Sequence, residues 1–297
     1  MLPLSKPQMD AATVFNTCSS TARRKADQEI LKNLTPDVAD AVAQYETAAA
    51  DQALHSLQHL QHRPGGPPPG TSSQLSPTNK LLVNGYASRM VPAGSIGHSY
   101  YEKLRASAPD GRCSLCGHGT AQTLDHQLPK AIYPLLAVAP SNLAPACRDC
   151  NTNKRDKAPL NALQQTLNPY FDHEAQQYTW VAARIIGPPV AVIFHALPPP
   201  EMPPLLASRA RYHFAELHLA TLYASQAASP IRVESRNLQK RRLTPSQVRD
   251  HLTTQAESWT AENRNGWQAA LYTALAANDW YTTEGYRSDR PFASRQP

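Results

Sequence analysis

Four of the five cysteines in this chain form two Cys-x-x-Cys pairs, Cys113/Cys116 and Cys147/Cys150. Each pair places two sulfur atoms on one tight turn, and two pairs supply the four thiolates of a tetrahedral zinc site. A site with four cysteine ligands has no open position, so the predicted Zn²⁺ is structural. The segment 117–146 between the pairs is longer than the roughly 15–20 residues of a usual zinc ribbon. A further structure must therefore be built between the pairs.

Polar residues suited to phosphodiester hydrolysis lie between the pairs and directly after them. They are Asp125, His126, Asn142 and Asn151. A histidine with a pKa of about 6.5 accepts a proton from water at neutral pH, and carboxylate or amide oxygens suit a hard divalent cation. Together they permit a metal-assisted attack of water on phosphorus. Singly, each has a simpler explanation: Asn142 could cap a turn, Asn151 could cap a helix, and the cysteines alone could form a ribbon that only binds.

In their order along the chain, these motifs resemble the zinc-bound subclass of the HNH endonucleases, which share a ββα-metal core. The resemblance spans residues 113–157 and rests on Asp-His followed by Asn-Leu-x-Pro-x-Cys-x-x-Cys-Asn-x-x-Lys. Asn151 stands where the family has its last histidine, which makes this chain an HNN variant. The resemblance implies a strand with Asp125 and His126, a loop with Asn142 and a short helix with Asn151.

The resemblance also implies a role for each residue. His126 would be the general base, and Asn142 would brace its loop and orient that histidine. Asp125 and Asn151 would hold a catalytic Mg²⁺ or Mn²⁺ ion. The expected substrate is nucleic acid, with double-stranded DNA favoured, and its backbone phosphates would meet the basic side chains of the last helix, Arg148, Lys154, Arg155 and Lys157.

A narrower resemblance is to the HNH subunits of bacterial antiphage systems of the Septu type, in which the nuclease works beside an ATPase. It rests on Leu-Asp-His-x-Leu-Pro-Lys at residues 124–130, on Pro134, and on Asn-Pro-Tyr-Phe-Asp at residues 168–172. It implies antiviral defence, with helical flanks that dock a partner ATPase. The flanks could instead extend the fold and grip DNA. A catalytically silent zinc-knuckle module that binds nucleic acid or protein is the alternative to the enzyme.

The elements that must position these residues follow from periodicity and from proline and glycine. Residues 1–62 are predicted to form an N-terminal helical region in which Thr35 caps a restarted helix. Residues 63–79 are a proline- and glycine-rich linker, residues 80–175 the nuclease domain, and residues 176–297 a β-hairpin with a helical C-terminal region. The predicted fold class is α+β, a mostly helical chain around a small zinc-stabilised ββα-metal core.

Individual elements are also predicted. A strand covers residues 122–126, and short helices cover residues 99–106 and 148–157. Hairpin strands cover 178–186 and 189–196, and the C-terminal helices cover 210–228, 245–259 and 267–277.

Bulk properties narrow the class of protein. A net charge of +6 and a pI of 9.1 favour a polyanionic partner. No apolar run approaches the roughly 18–20 residues of a membrane span, and residues 1–6 lack the apolar core of a secretory signal. Paired cysteines in such a chain indicate metal binding rather than disulfides. We therefore expect a cytoplasmic protein with no membrane partner.

Overall fold

The structure is a computed structural model that describes residues 1–61 and 75–288. The chain divides into two compact units, Met1–His173 and Glu174–Pro297. The predicted α+β class is confirmed, because helices predominate and the described strands form two separate antiparallel pairs. Among the described residues, no helix has both the length and the apolar composition needed to cross a membrane.

The first unit contains six α-helices and one strand pair within its described residues. The helices are α1 (Ala11–Ser19), α2 (Lys25–Asn33), α3 (Thr35–Ala50), α4 (Pro77–Arg89), α5 (His98–Ala106) and α6 (Arg148–Lys154), and the strands are β1 (Thr123–His126) and β2 (Leu143–Ala146). The predicted cap of α3 is wrong, because Leu34 occupies the cap position and makes no side-chain cap. The hydroxyl of Thr35 instead donates to Oδ1 of Asn16 at 2.7 Å, which ties α3 to α1.

One hydrophobic core joins the N-terminal helices to the segment between the cysteine pairs. It includes Val14 of α1, Tyr45 of α3 and Tyr86 of α4, together with Leu124 of β1 and Leu136. These side chains come from both sides of the predicted linker. The helices before residue 62 therefore pack in the same compact unit as the cysteines.

Residues 63–74 of the predicted linker, which spans 63–79, lie outside the described residues. Its last residues are helical, because α4 begins at Pro77 and Oγ of Ser76 accepts from the amide of Asn79 at 3.2 Å. Proline is well suited to the first turn of a helix, where its missing N–H has no partner to lose. Pro77 therefore counts towards the linker in the composition of the sequence but begins a helix in the structure.

The segment between the cysteine pairs, together with α6, has a ββα arrangement. Strands β1 and β2 pair antiparallel, with Asp125 opposite Ala144 and His126 opposite Leu143. Helix α6 follows directly and ends at Lys154, although the sequence predicts a helix to residue 157. Arg155 adopts a positive φ of 52°, a conformation that a helix cannot continue.

The second unit is a hairpin followed by helices, as predicted. Its elements are β3 (Val181–Ile186), β4 (Ala191–Ala196), α7 (Pro204–Glu216), α8 (Leu219–Arg241), α9 (Pro245–Asn263), α10 (Trp267–Ala277) and α11 (Asp279–Thr283). The single helix predicted for residues 210–228 is wrong. Two helices, α7 and α8, meet at His218, whose left-handed backbone (φ 52°, ψ 38°) ends one helical path and starts another.

Tyr45 links α3 to the loop that precedes β2. Its buried hydroxyl donates to the carbonyl of Ser141 at 3.2 Å and accepts from Nδ2 of Asn168 at 3.0 Å. We expect Tyr45→Phe to lower the free energy of unfolding by about 1–3 kcal/mol, because both partners lose a buried hydrogen bond. Urea denaturation measures this, with Tyr100→Phe on a half-buried ring as the control. An equal loss of unfolding free energy in the two variants would contradict a stabilising role for the Tyr45 hydroxyl.

Candidate functional site

The four paired cysteines come together in one buried cluster. The Sγ atoms of Cys113, Cys116, Cys147 and Cys150 all lie within 4.8 Å of one another. A tetrahedral zinc ion with Zn–S bonds of about 2.3 Å holds its sulfurs roughly 3.8 Å apart. The Sγ atoms of Cys116 and Cys147 are separated by 3.9 Å. The donor type, the number of donors and their spacing therefore fit a zinc ion.

Two glycines shape the first half of this cluster. Gly117 has a φ of 67°, and its amide donates to the carbonyl of Cys113 at 2.8 Å, which closes the turn between the first two cysteines. The amide of Gly119 donates to Sγ of Cys116 at 3.3 Å. A Cβ atom on Gly119 would lie 2.8 Å from Cβ of Cys147. Only glycine allows the two halves of the cluster to approach this closely.

The second half of the cluster is the start of α6. Sγ of Cys147 accepts from the amide of Cys150 at 3.5 Å and so caps the helix that carries Asn151. Hydrogen bonds from neighbouring thiols, Cys113 first, lower the pKa of Cys116, whereas contacts with the same thiols raise the pKa of Cys150. Zinc binds cysteine as the thiolate, so it would displace the thiol protons when it binds.

Asp125 is a buried carboxylate paired with a buried lysine. Asp125 is 2% exposed and Lys154 is 4% exposed, and Oδ2 of the first lies 3.0 Å from Nζ of the second. The contact is an ion pair without the alignment of a hydrogen bond. Nζ of Lys154 also donates to the backbone carbonyl of His126. Burial raises the pKa of Asp125, and the positive charges of Lys154 and Lys130 oppose that rise.

The burial of Lys154 contradicts the prediction that it faces a phosphate. A long charged side chain normally extends into solvent, but this one points inward from the last turn of α6. The other three predicted phosphate contacts, Arg148, Arg155 and Lys157, are exposed. These three exposed side chains can reach a polyanion, whereas the buried ammonium of Lys154 cannot.

His126 is held as a neutral imidazole with a defined tautomer. Nε2 lies 2.9 Å from the carbonyl of Ala137, an acceptor, so Nε2 carries the proton and Nδ1 is the basic nitrogen. The ring packs edge-on against Tyr86, with centroids 4.5 Å apart. Burial, helped by the charge of Lys130, lowers the pKa of His126 to about 3. The side chain is 7% exposed, so its neutral form persists at physiological pH.

Asn142 fixes the loop that holds His126. Its Oδ1 accepts from the amide of Leu128 at 2.7 Å, and its Nδ2 donates to the carbonyls of Leu128 and Leu136 at 3.0 and 3.1 Å. Leu136 directly precedes Ala137, and the carbonyl of Ala137 accepts the hydrogen bond from Nε2 of His126. Asn142 thus acts on the histidine through the backbone and does not touch the ring.

Asn151 lies on the same side of β1 as Asp125. Its Nδ2 donates to Oγ1 of Thr123 at 2.7 Å, and Thr123 and Asp125 face the same side of the strand, two residues apart. His126 faces the opposite side, towards Tyr86. The structure therefore places Asp125 and Asn151 on one side of β1 and His126 on the other.

The oxygen atoms of Asp125 and Asn151 are of the kind that Mg²⁺ or Mn²⁺ prefers. A cation is already present at that carboxylate, however, in the form of the Lys154 ammonium. Both cations cannot occupy one side of a single carboxylate at close range. These donors fit a divalent ion only after Lys154 has moved.

Three further side chains shape the site although the motif of the zinc-bound HNH subclass does not include them, namely Thr123, Lys130 and Tyr86. Thr123 and Lys130 flank the Asp-His pair, and their position beside it is a usable signal. Tyr86 lies far from the motif and reaches His126 through the packing of α4. Its hydroxyl donates to the carbonyl of Leu124 at 3.2 Å. Sequence spacing carries no signal for such a contact.

The fold and the cluster define an α+β protein with four buried cysteines that could hold a metal ion. Over 152 residues the chain is 32% identical to protein ea31 of Escherichia phage lambda, and the match covers 50% of each chain. The chain thus spans about half the length of this curated relative, whose name states no activity. No family profile matches the chain. No solved structure matches it.

Loss of a cysteine ligand should release the metal and loosen the fold around it. We expect the purified chain to contain zinc and Cys147→Ser to lose it, together with a large fall in melting temperature, because the small ββα segment depends on the metal for its shape. Elemental analysis and circular dichroism measure the two effects. Cys18→Ser changes a buried cysteine outside the cluster and should keep its zinc. Full zinc retention in Cys147→Ser would contradict this assignment.

The environment of His126 predicts its titration. Because burial disfavours the imidazolium, the folded-state pKa lies below the unfolded value of about 6.5, and protons bind only well below pH 5. Nuclear magnetic resonance of the histidine ring protons should show no titration of His126 between pH 5 and 8. The same resonance in urea should titrate in that range. A folded-state midpoint above pH 6 would show that the ring is solvated.

Proposed function

We propose that this chain is a zinc-stabilised endonuclease of the HNH type that hydrolyses phosphodiester bonds in DNA. The observation that carries the proposal is the ββα segment, in which the cysteine cluster, β1 and α6 are joined. His126 and Asp125 are neighbours on β1. Asn151 of α6 bonds Thr123 of the same strand. His126, Asp125 and Asn151 are groups that the resemblance to HNH endonucleases assigns to catalysis.

In the proposed reaction, His126 removes a proton from water. Nδ1 of His126 takes that proton while the water oxygen forms a bond to phosphorus, and the bond from phosphorus to the leaving sugar oxygen breaks. The leaving oxygen takes a proton from solvent. The bond from Nε2 to the carbonyl of Ala137 keeps Nδ1 as the basic nitrogen, and Asn142 holds the neighbouring carbonyl of Leu136.

Asp125 and Asn151 would hold the catalytic ion. A bound Mg²⁺ or Mn²⁺ supplies charge neutralisation at the phosphate oxygens. The zinc ion would have no part in the chemistry, because its four cysteine ligands leave no open position.

The substrate class follows from charge. Arg148, Arg155 and Lys157 are exposed on α6 and on the turn after it, close in sequence to Asn151. Together with a net charge of +6, they favour contacts with a phosphate backbone. Such contacts position the duplex but do not read its sequence, so we expect little sequence preference from them.

The resemblance to antiphage nucleases adds a proposed setting, in which an ATPase partner restrains or licenses cleavage. The Asn-Pro-Tyr-Phe-Asp segment itself does not supply the docking surface, because it serves the core. Asp172 accepts from the amide of Asn168 at 2.6 Å, and the hydroxyl of Tyr170 donates to the carbonyl of Leu143 in β2 at 2.8 Å. A partner would therefore dock on other surfaces of the chain.

One observation favours a second candidate, a zinc module that binds nucleic acid or protein without cutting. Asp125 and His126 are both buried, and Lys154 occupies the carboxylate. A module of that kind keeps the zinc and the exposed basic residues but needs no accessible base. Cleavage assays separate the two candidates.

The nuclease proposal predicts nicking of supercoiled plasmid by the zinc-loaded protein with Mg²⁺ or Mn²⁺. We expect His126→Ala and His126→Gln to reduce the rate by about 10²–10⁴-fold, because each removes the general base. Both variants should keep their zinc, measured on the same samples. His195→Gln, the same change on β4, is the control and should nick at the wild-type rate.

Gel analysis of plasmid topology measures these rates. Equal nicking by the wild type and His126→Gln would assign the cleavage to another protein in the preparation. DNA binding without cleavage, in every metal and also with a candidate ATPase present, would favour the silent module.

A further inference from the structure

Lys154 is the buried charge that the proposed reaction does not use. Its ammonium lies 3.0 Å from Oδ2 of Asp125 and also donates to the carbonyl of His126. Two acceptors on β1 thus hold a single cation at the end of that strand. Both acceptors are oxygen atoms, the kind of donor that a hard metal ion also takes.

The ion pair also explains why the buried carboxylate is tolerated in this fold. An isolated charge at 2% exposure would be strongly disfavoured, and the opposite charge of Lys154 offsets part of that cost. Lys154 neutralises Asp125 with a group that the chain itself carries. A divalent ion would do the same with a larger charge, so the two compete for one position.

The local structure allows Lys154 to leave that position. It is the last residue of α6, and Arg155 after it has a positive φ, so the helix does not continue past this side chain. The long lysine stem can stay packed while its ammonium turns towards solvent. Asp156, two residues further on, is exposed and offers a carboxylate near the surface.

We propose that Lys154 is a positioning residue that acts as the resident cation of Asp125, holding the carboxylate until a divalent ion displaces the ammonium towards solvent. The inference rests on the proposed function, since it names the group that the catalytic ion must replace. The displaced ammonium would then be close in sequence to the exposed side chains of Arg155 and Lys157. Once exposed, it could meet a DNA phosphate.

The first test measures Mn²⁺ binding to zinc-loaded protein by electron paramagnetic resonance. Lys154→Met should bind Mn²⁺ about tenfold or more tightly than the wild type, because the competing positive charge is gone. Lys157→Met removes an exposed lysine three residues away and should bind like the wild type. Adding Asp125→Asn to Lys154→Met should abolish the gain. Equal affinity in Lys154→Met and the wild type overturns the proposal.

Lys154→Met leaves Asp125 without its partner and can fail to fold, so a second measurement uses the wild-type chain. Reductive methylation followed by mass spectrometry reports the accessibility of each lysine. Without divalent ions, Lys154 should be protected and Lys157 labelled. Saturating Mn²⁺ should raise the labelling of Lys154 several-fold and leave that of Lys157 unchanged. Persistent protection of Lys154, with or without detectable Mn²⁺ binding, overturns the proposal.

The two proposals fail in different ways. Plasmid nicking that depends on His126, with Lys154 protected throughout, would leave the nuclease standing and remove the resident-cation role. Displacement of Lys154 by Mn²⁺ without any nicking would support the resident cation and argue against the nuclease.

Discussion

The structure of the ββα segment depends on the close approach of four buried cysteine Sγ atoms. Cys113 and Cys116 belong to a turn before β1, and Cys147 and Cys150 open α6. A single metal ion across them would join the turn, the strand pair and the helix at one point. Strands of four residues and a helix of seven have too few internal hydrogen bonds to hold their own arrangement. The positions of Asp125 on β1 and Asn151 on α6 therefore depend on the cysteine cluster that joins these elements.

A second constraint is the burial of the polar groups around the strand end. Asp125, His126, Asn142 and Lys154 all lie inside the unit, and each has identified partners. Low local polarity keeps His126 neutral and makes the ion pair of Asp125 necessary. The same burial that keeps the histidine neutral also lowers its basicity and restricts access to it. Any function at this site must therefore involve a local change that admits water, a metal or a substrate.

The N-terminal helices are part of this arrangement and do not form a separate body. Tyr86 of α4 packs on His126, and Tyr45 of α3 bonds the loop that leads into β2. The contact of Tyr45 with Ser141 crosses the proline- and glycine-rich stretch that composition marks as a boundary. A boundary drawn from composition describes the chain between elements, whereas a domain is defined by which side chains share a core.

The sequence by itself determined the chemistry of the segment and most local elements. The paired cysteines, the Asp-His pair, the hairpin and the helix Trp267–Ala277 all follow from spacing, periodicity and turn residues, which are properties of neighbouring positions. Tertiary structure alone decided that Lys154 points inward to Asp125, that Tyr86 covers His126 and that α7 and α8 part at His218. Spacing does not determine which way a long side chain turns. Burial and the nearest opposite charge decide that, and both depend on residues distant along the chain.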